Sequence, residues 1–310
     1  MPRTIYRLVL AAAIVGLAGC SSQDDAGDLA ERKLRVTTTT NFITDTMREL
    51  GGDRVEVTGL MGAGVDPHLY KASAGDVGEL RDADLIVYGG LNLEGKMADL
   101  LDELAERQTT VAITRDIPRE RLLAPPQGTA FDHDPHVWFD VGLWRIAART
   151  ATAALKEKDP THAAVYDANL ARYLERLSAL DTDVRAQIST IPRARRVLVT
   201  SHDAFGYFGR RYDVDVVAIQ GISTVTEATT ASVRRVAEVI ASRRVKAAFI
   251  ESSVPRQTID AVLAAARRRG ADVRIGGSLF SDAAGDAGTP EGTYVGMLRA
   301  NAETIAKGLR

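Results

Sequence analysis

The feature that most constrains the fold is a pattern, present in both halves of the chain, in which short β-branched runs alternate with longer helical segments. In the first half the strand-like runs are "KLRVTTT", "RVEVTGLM", "DLIVYGG" and "TVAIT". The pattern resumes with "RRVLVT" and continues through "DVVAI", "KAAFIES" and "DVRIGG". Strands that alternate with helices favour a mostly parallel sheet with helices on both faces. The sequence therefore predicts an α/β fold with two similar lobes.

Between these halves lies one long helical stretch, with Pro160 near its start and Pro192 at its end, where proline is commonly found. Its larger apolar side chains recur every three or four residues and form one continuous stripe: Tyr166, Leu170, Tyr173, Leu177, Leu180, Val184 and Ile188. A helix of roughly thirty residues is about 45 Å long, which is longer than one small domain needs. We expect it to join the two lobes.

These patterns divide the chain into five segments. Residues 1–19 are predicted to be a signal peptide, and residues 20–32 a lipidated, flexible polar tether. An N-terminal α/β lobe is predicted over 33–159, the connecting helix over 160–192, and a C-terminal α/β lobe over 193–310. A length of 310 residues is sufficient for two domains with sizeable cores.

The N-terminus carries an export signal. Arg3 and Arg7 form a short positive n-region before an apolar run that is too short to span a bilayer comfortably and ends in "LAGC". A small-residue pair before cysteine resembles the lipobox of bacterial lipoproteins, which implies cleavage before Cys20 and lipid attachment to its sulfur. The alternative is an ordinary signal peptide with an incidental cysteine. We expect an exported protein, lipid-anchored to the cell envelope and facing the periplasm or the cell exterior.

Composition excludes several other classes. The 39 basic and 41 acidic side chains give a net charge of −2, which indicates neither nucleic acid nor an anionic membrane surface as the main partner. Cys20 is the only cysteine, so no disulfide can form within the chain. The chain contains neither a G-x-S-x-G motif nor a P-loop. The consecutive Ser201, His202 and Asp203 cannot form a triad, whose members must meet through space.

Three of the five histidines fall in two related phrases, "VDPHLY" at 65–70 and "FDHDPHVWFD" at 131–140. Both phrases contain Asp-Pro-His. Pro67 and Pro135 fix their own φ and push the preceding aspartate into an extended conformation. This restriction reduces the freedom lost when the following histidine becomes a ligand.

Four side chains with metal-binding chemistry follow predicted strands, where ligands bind in open α/β sheets. His68 follows the second strand and His136 the fourth, while His202 directly follows "VLVTS" at the predicted start of a helix, and Asp282 follows the last strand. Three imidazoles and one carboxylate suit Zn²⁺, or Mn²⁺ with a second carboxylate oxygen bound. The sequence thus predicts one divalent transition metal ion between the lobes.

Other polar residues near these positions are predicted to support the site. Asp66, Asp134 and Asp203 flank the three histidines and are candidates to hydrogen-bond them. His133 is a weaker ligand candidate than His136, as a neighbour that helps to capture metal. His162, at the start of the long helix, is predicted to be a solvated surface residue.

Each predicted ligand also has an ordinary alternative. His68 could be a turn residue, His202 a helix-start residue and Asp282 a loop aspartate. A zinc-dependent hydrolase would use the same ligand types with an open coordination position and a nearby base, for which Glu251 at a strand end is the candidate. Four protein ligands would leave little room for substrate. A surface adhesin is a further alternative for an exported lipoprotein.

From about residue 33 to the C-terminus, the sequence resembles the TroA-like (ZnuA-type) metal-binding lipoproteins of bacterial ABC importers. The resemblance rests on phrases in the family's order: "DPHLY", "GLNLEG", "DPHVWFD", "LVTSHDAFGYF", "QGISTVTEATT", "FIESSVP", "GGSLFSDAAGDAG" and "EGTYVGMLRAN".

The resemblance implies two α/β lobes that form a C-clamp around one metal ion, bridged by a rigid helix. It places the family's four ligands at His68, His136, His202 and Asp282. It also implies a monomer, without enzymatic activity, that delivers the ion to a membrane permease driven by a cytoplasmic ATPase. In the family, a histidine at the third ligand position, here His202, is found in members that bind zinc or both zinc and manganese. His202 therefore favours zinc. The short "PPQGTAFDHD" lacks the His-rich loop of many zinc-specific members, which keeps manganese open and, to a lesser extent, iron.

Overall fold

The computed structural model describes residues 29, 31–125 and 131–310, which form two α/β lobes joined by a long helix. The predicted signal peptide at 1–19 and Cys20 lie outside the described residues. At the end of the predicted tether, Arg32 Nη1 lies 2.6 Å from Asp84 Oδ2, so this part of the segment contacts the N-terminal lobe. Within the described part of the chain, no helix has the length and apolar character needed to cross a membrane.

The N-terminal lobe alternates strands and helices, as predicted except for the helix Ala74–Arg81. Its elements are β1 Leu34–Thr38, α1 Asn41–Gly51, β2 Val55–Gly59, α2 Ala74–Arg81, β3 Leu85–Tyr88, α3 Ala98–Ala105, β4 Thr110–Ala112 and α4 Val141–Lys158. The four strands are parallel and lie in the order β2-β1-β3-β4. β1 begins its pairing with β2 at Leu34 opposite Val55.

The C-terminal lobe repeats this topology. Its elements are β5 Val197–Thr200, α6 Gly206–Tyr212, β6 Asp215–Ala218, α7 Thr230–Arg243, β7 Ala247–Glu251, α8 Gln257–Arg267, β8 Arg274–Leu279 and α9 Tyr294–Leu309. Its strands are also parallel, in the order β6-β5-β7-β8. Because both sheets share one order, their first strands are central and the loops after them face the groove between the lobes.

The connecting helix α5 spans Ala163–Ser189, within the segment predicted at 160–192. Its 27 residues make a rod of about 40 Å. The predicted stripe faces inward: Tyr166, Tyr173, Leu177, Leu180, Val184 and Ile188 are buried, and Leu170 is partly buried. α5 packs against α1 and α4 on one side and α9 on the other, so it touches both lobes.

A continuous hydrophobic core therefore crosses from one lobe to the other. Trp144 of α4 stacks on Tyr294 of α9 with ring centroids 5.0 Å apart. Beside this core, Arg211 of α6 pairs with Asp140 at 2.7 Å and with Asp181 at 2.6 Å. These contacts fix the relative placement of the lobes around the groove.

Two sequence-based expectations need correction. The helix α2, Ala74–Arg81, was not expected, because it contains two glycines and only Leu80 is fully buried, so it shows no apolar stripe. The sequence feature that indicates this helix is the capping box between Ser73 and Asp76. His202 does not lie at a helix start: α6 begins at Gly206, and His202 sits in the loop after β5.

Candidate metal centre

Four side chains from four strand-end loops converge between the lobes. His68 lies in the loop after β2, His136 after β4, His202 after β5 and Asp282 after β8. One potential ligand atom from each of the four lies within 4.8 Å of the others. The structure thus brings together the four residues that the strand-end pattern predicts.

The separations within this group are short. His68 Nε2 and His136 Nε2 are 3.4 Å apart. Asp282 Oδ1 lies 3.6 Å from His136 Nε2, and Asp282 Oδ2 lies 3.1 Å from His202 Nε2. All four side chains are buried, with at most 2% of any of them exposed. The donors therefore face one another in a space closed to bulk water.

Two of the imidazoles are oriented by carboxylates on their far side. His136 Nδ1 lies 2.7 Å from Asp134 Oδ1, and this same oxygen accepts a hydrogen bond from His136 N at 2.9 Å. Glu251, at the end of β7, binds His202 Nδ1 and accepts hydrogen bonds from the backbone N–H groups of Ser201 and His202. Both rings consequently direct Nε2 into the group.

The third imidazole is held differently. A backbone hydrogen bond at Leu93 acts on the His68 ring, and Asp66 Oδ1 accepts a hydrogen bond from His68 N at 2.9 Å. The second oxygen of Asp66 accepts a 2.6 Å hydrogen bond from Thr224 Oγ1, which belongs to the other lobe. The His68 loop is thereby tied across the groove.

The carboxylate Asp282 is unusual, because neither of its oxygens has a hydrogen-bond partner among the described residues. His202 Nε2, although close to it, is also buried without a hydrogen bond there. A buried, unpaired carboxylate is costly unless a cation compensates it. These orphaned atoms fit a site that is completed by a metal ion.

The electrostatics differ from one member of the group to the next. Burial lowers the pKa of His68 to about 3. Burial also opposes the charged form of His202, but the Asp282 and Glu251 carboxylates outweigh it and raise the pKa of His202 well above its usual value. Burial alone would raise the pKa of Asp282, but His202 and His136 hold that pKa well below its usual range. In the metal-free protein these directions favour a protonated His202 beside an ionised Asp282.

The groove opens to solvent beside His68. A cavity of about 560 Å³ is lined there by His68, Asn92, Phe131 and the loop after β6. The other three members of the group do not line it. His68 is therefore the member nearest to the mouth of the groove.

The remaining sequence candidates take several positions. Asp203 is partly buried, and its pKa is raised, first by burial and then by the charge of Asp134, but within the described residues no hydrogen bond joins its side chain to His202. His133 lines a neighbouring cavity with Arg115 and Arg119 and is not among the converging donors. His162 is half-buried and pairs with Asp159 at 2.8 Å.

The partner of His202 was missed by sequence reasoning, which assigned Glu251 to the hydrolase alternative as a base. Its position at a strand end was the available signal. The residue that it contacts, 49 positions earlier, could not be read from the sequence.

Known proteins are similar to the chain over most of its length. A family model for the zinc-uptake complex component A periplasmic matches residues 36–308. The chain is 44% identical over 298 residues to the manganese-binding lipoprotein MntA of Bacillus subtilis (strain 168), covering 96% of each chain. It is 44% identical over 280 residues to the zinc-binding protein TroA of Treponema pallidum (strain Nichols), covering 90% of each.

Another relative and one solved structure are also similar to this chain. The metal ABC transporter substrate-binding lipoprotein ScbA of Streptococcus cristatus is 30% identical over 315 residues, which cover 100% of this chain and 99% of ScbA. A solved structure of the periplasmic zinc-binding protein TroA from Treponema pallidum matches with a TM-score of 0.87. That match has 44% identity and covers 89% of this chain and 99% of the other.

Proposed function

The chain belongs to the zinc-uptake complex component A periplasmic family, and from this premise we propose that it captures one divalent transition metal ion and delivers it to an ABC importer. The family is a component of an uptake complex and not an enzyme. The hydrolase and adhesin alternatives find no support among the relatives.

The observation that carries the proposal is the group of four buried donors whose potential ligand atoms lie within 4.8 Å of one another. We assign the ion to His68, His136, His202 and Asp282. With metal–ligand bonds of 2.0–2.1 Å, tetrahedral zinc needs ligand atoms about 3.3 Å apart. Three separations among these donors, 3.1, 3.4 and 3.6 Å, lie near that value.

Zinc is the favoured cargo and manganese the second. Three neutral imidazoles and one carboxylate match the ligands that zinc prefers, whereas manganese favours more oxygen donors. Both oxygens of Asp282 lack a hydrogen bond within the described residues, so both are available to a larger ion. Relatives at the same 44% identity are named for manganese in one case and zinc in the other, so their names support both metals.

The surrounding carboxylates would tune the ligands. Asp134 and Glu251 would hold His136 and His202 in the tautomer that offers Nε2 to the ion. Asp66 would hold the backbone of His68. Asp203 and His133 would act at longer range, as charged or polar neighbours of the site.

Delivery requires partners in the membrane. ScbA is named as the substrate-binding lipoprotein of a metal ABC transporter, and this supports a permease with a cytoplasmic ATPase as the partner of the present chain. We further propose that the protein is exported, works as a monomer and is anchored to the envelope by lipid on Cys20. The names of MntA and ScbA as lipoproteins support the anchor.

Elemental analysis of protein purified from its native envelope, followed by competition between Zn²⁺ and Mn²⁺ for the metal-free protein, tests this proposal. We expect one equivalent of metal, with Zn²⁺ displacing Mn²⁺. Protein that carries no transition metal and binds neither ion would contradict the proposal. Tighter binding of Mn²⁺ would retain metal capture but overturn the choice of zinc.

A further inference from the structure

Asp282 differs from the other three members of the metal centre in how its side chain is oriented. Two imidazoles have a carboxylate on their far side, Asp134 for His136 and Glu251 for His202, and a backbone hydrogen bond at Leu93 acts on His68. Among the described residues, no hydrogen bond reaches either carboxylate oxygen of Asp282. Its direction must therefore be set by the main chain that carries it.

That main chain is gripped two residues before Asp282 by Asn301, which belongs to α9 of the same lobe. Phe280 N donates to Asn301 Oδ1 at 2.9 Å, and Asn301 Nδ2 donates to Phe280 O at 2.7 Å. One amide side chain thus satisfies both polar groups of one residue's backbone. Asn301 is fully buried, so water does not compete for these hydrogen bonds.

Two residues after Asp282, the main chain is gripped in the same way from the opposite lobe. Asn41, the first residue of α1, accepts from Ala284 N at 2.8 Å and donates to Ala284 O at 2.9 Å. Its Nδ2 also lies 3.3 Å from Gly285 O. The two residues in contact are 243 positions apart in the sequence.

We propose that Asn41 and Asn301 are positioning residues that together aim the Asp282 carboxylate at the metal, one from each lobe. Each asparagine matches the donor and acceptor of a backbone on one side of Asp282, so the intervening turn is held at both ends. We call this pair of asparagines the asparagine clamp. It takes the place of the hydrogen bond that a metal-binding carboxylate usually receives from its surroundings.

The asparagine clamp also makes the orientation of Asp282 depend on contact between the two lobes. Because Asn41 belongs to the N-terminal lobe, the carboxylate of a C-terminal loop is aligned only when the lobes are together. Trp138, two residues after His136, strengthens this link by donating from Nε1 to Ser281 O at 3.1 Å. Separation of the lobes would release Asp282 from its metal-binding orientation even before the ligand itself moves far.

This inference rests on the proposed metal capture, and its test uses the full-length protein loaded with Zn²⁺ or Co²⁺. Asn41→Ala and Asn301→Ala are each expected to release Zn²⁺ into excess chelator about tenfold faster, the lower end of the effect seen when an outer partner of a ligand is lost. The visible absorption spectrum of the Co²⁺ form should change as well, since it reports the coordination geometry. Asn41→Asp keeps the acceptor for Ala284 N but turns a second oxygen towards the carbonyl oxygens of Ala284 and Gly285, so it should also release Zn²⁺ faster than wild type.

Asn169→Ala is the matched control, because Asn169 of α5 is also buried and donates to the backbone oxygen of Leu50 at 2.9 Å, away from the metal centre. It should lower the melting temperature of the metal-free protein without altering Zn²⁺ release or the Co²⁺ spectrum. If Asn301→Ala does not fold, Asn41→Ala and Asn41→Asp still test the asparagine clamp, because Asn41 is only partly buried.

A lowered melting temperature for Asn41→Ala, with wild-type Zn²⁺ release and a wild-type Co²⁺ spectrum, would overturn the clamp and leave a purely structural asparagine. Asp282→Ala, measured in parallel, separates the two proposals. If that variant also keeps the wild-type spectrum, the assignment of Asp282 to the metal is wrong, and the clamp falls with it. If only Asp282→Ala alters the spectrum, metal capture stands and the clamp alone fails.

Discussion

The two lobes have the same strand order, yet they hold their metal-binding side chains by different means. In the N-terminal lobe, Asp66 and Asp134 each accept a hydrogen bond from the backbone N–H of the histidine two positions later. In the C-terminal lobe, His202 is held by Glu251, which lies 49 positions away. The same sheet topology thus supports two ways of holding a histidine ligand: by a nearby aspartate in the N-terminal lobe and by a distant glutamate in the C-terminal lobe.

The two lobes hold their ligands differently because the loops that carry these ligands have different sequences. An aspartate that bonds its own backbone two residues on forms a turn by itself, and the proline between them restricts that turn further. The loops after β5 and β8 contain no such Asp-Pro-His turn. Their ligands depend on side chains that only the folded lobes bring near. We expect the N-terminal ligands to tolerate changes elsewhere better than the C-terminal ones.

The largest effect is expected from removing a ligand in either lobe. His136→Ala and His202→Ala should each weaken Zn²⁺ binding by about 60- to 700-fold, because about a quarter of a binding free energy of roughly 10–16 kcal/mol is lost. Isothermal titration with a competing chelator measures this loss. His162→Ala, which changes a histidine paired with Asp159 outside the metal centre, serves as the control and should bind like wild type. Equal losses in all three variants would mean that the metal centre is misplaced.

A smaller effect, of about tenfold per pH unit, is expected from proton competition at the C-terminal ligand. His202 has a raised pKa, so below that pKa an incoming ion must displace a proton, and affinity must fall as the pH falls. His68, with its pKa lowered to about 3, stays neutral and adds no dependence over pH 6.5–7.5. Titrations across this window should show the decline.

Glu251→Gln tests whether His202 causes this dependence of Zn²⁺ affinity on pH. Removing the Glu251 charge lowers the pKa of His202 towards its usual value, so the dependence of affinity on pH near neutrality should flatten. Wild-type affinity that does not change between pH 7.5 and 6.5 would show that His202 is not the group that competes with the metal.

The smallest effect is expected at the hydrogen bond that joins the His68 loop to the other lobe. Thr224→Val removes the Oγ1 donor to Asp66 while keeping the side-chain shape. A hydrogen bond of about 0.5–1.5 kcal/mol corresponds to Zn²⁺ release that is roughly 2–10 times faster. Stopped-flow release into chelator measures it, with Thr226→Val, an exposed neighbour, as the control. Unchanged release would indicate that local turn chemistry alone holds His68.

Much of the fold could be predicted from the sequence, because its signals are local. The apolar stripe from Tyr166 to Ile188 predicts one long helix with a buried face, and β-branched runs predict the strands. Helix α2 escaped prediction, since the two glycines and the single fully buried residue, Leu80, leave no periodic signal. The start of α6 was also misplaced, because residues 201–203 form bends after β5 and the helix begins only at Gly206.

The sequence by itself determined which residue types stand at the strand ends and, through Asp-Pro-His, how the two N-terminal histidines are turned. Only the tertiary structure decided that four loops meet, that Glu251 orients His202, and that asparagines from both lobes grip the chain around Asp282. Periodicity and turn chemistry act over a few residues. Contacts such as that between Asn41 and Ala284, 243 positions apart, exist only after both lobes and the connecting helix have packed.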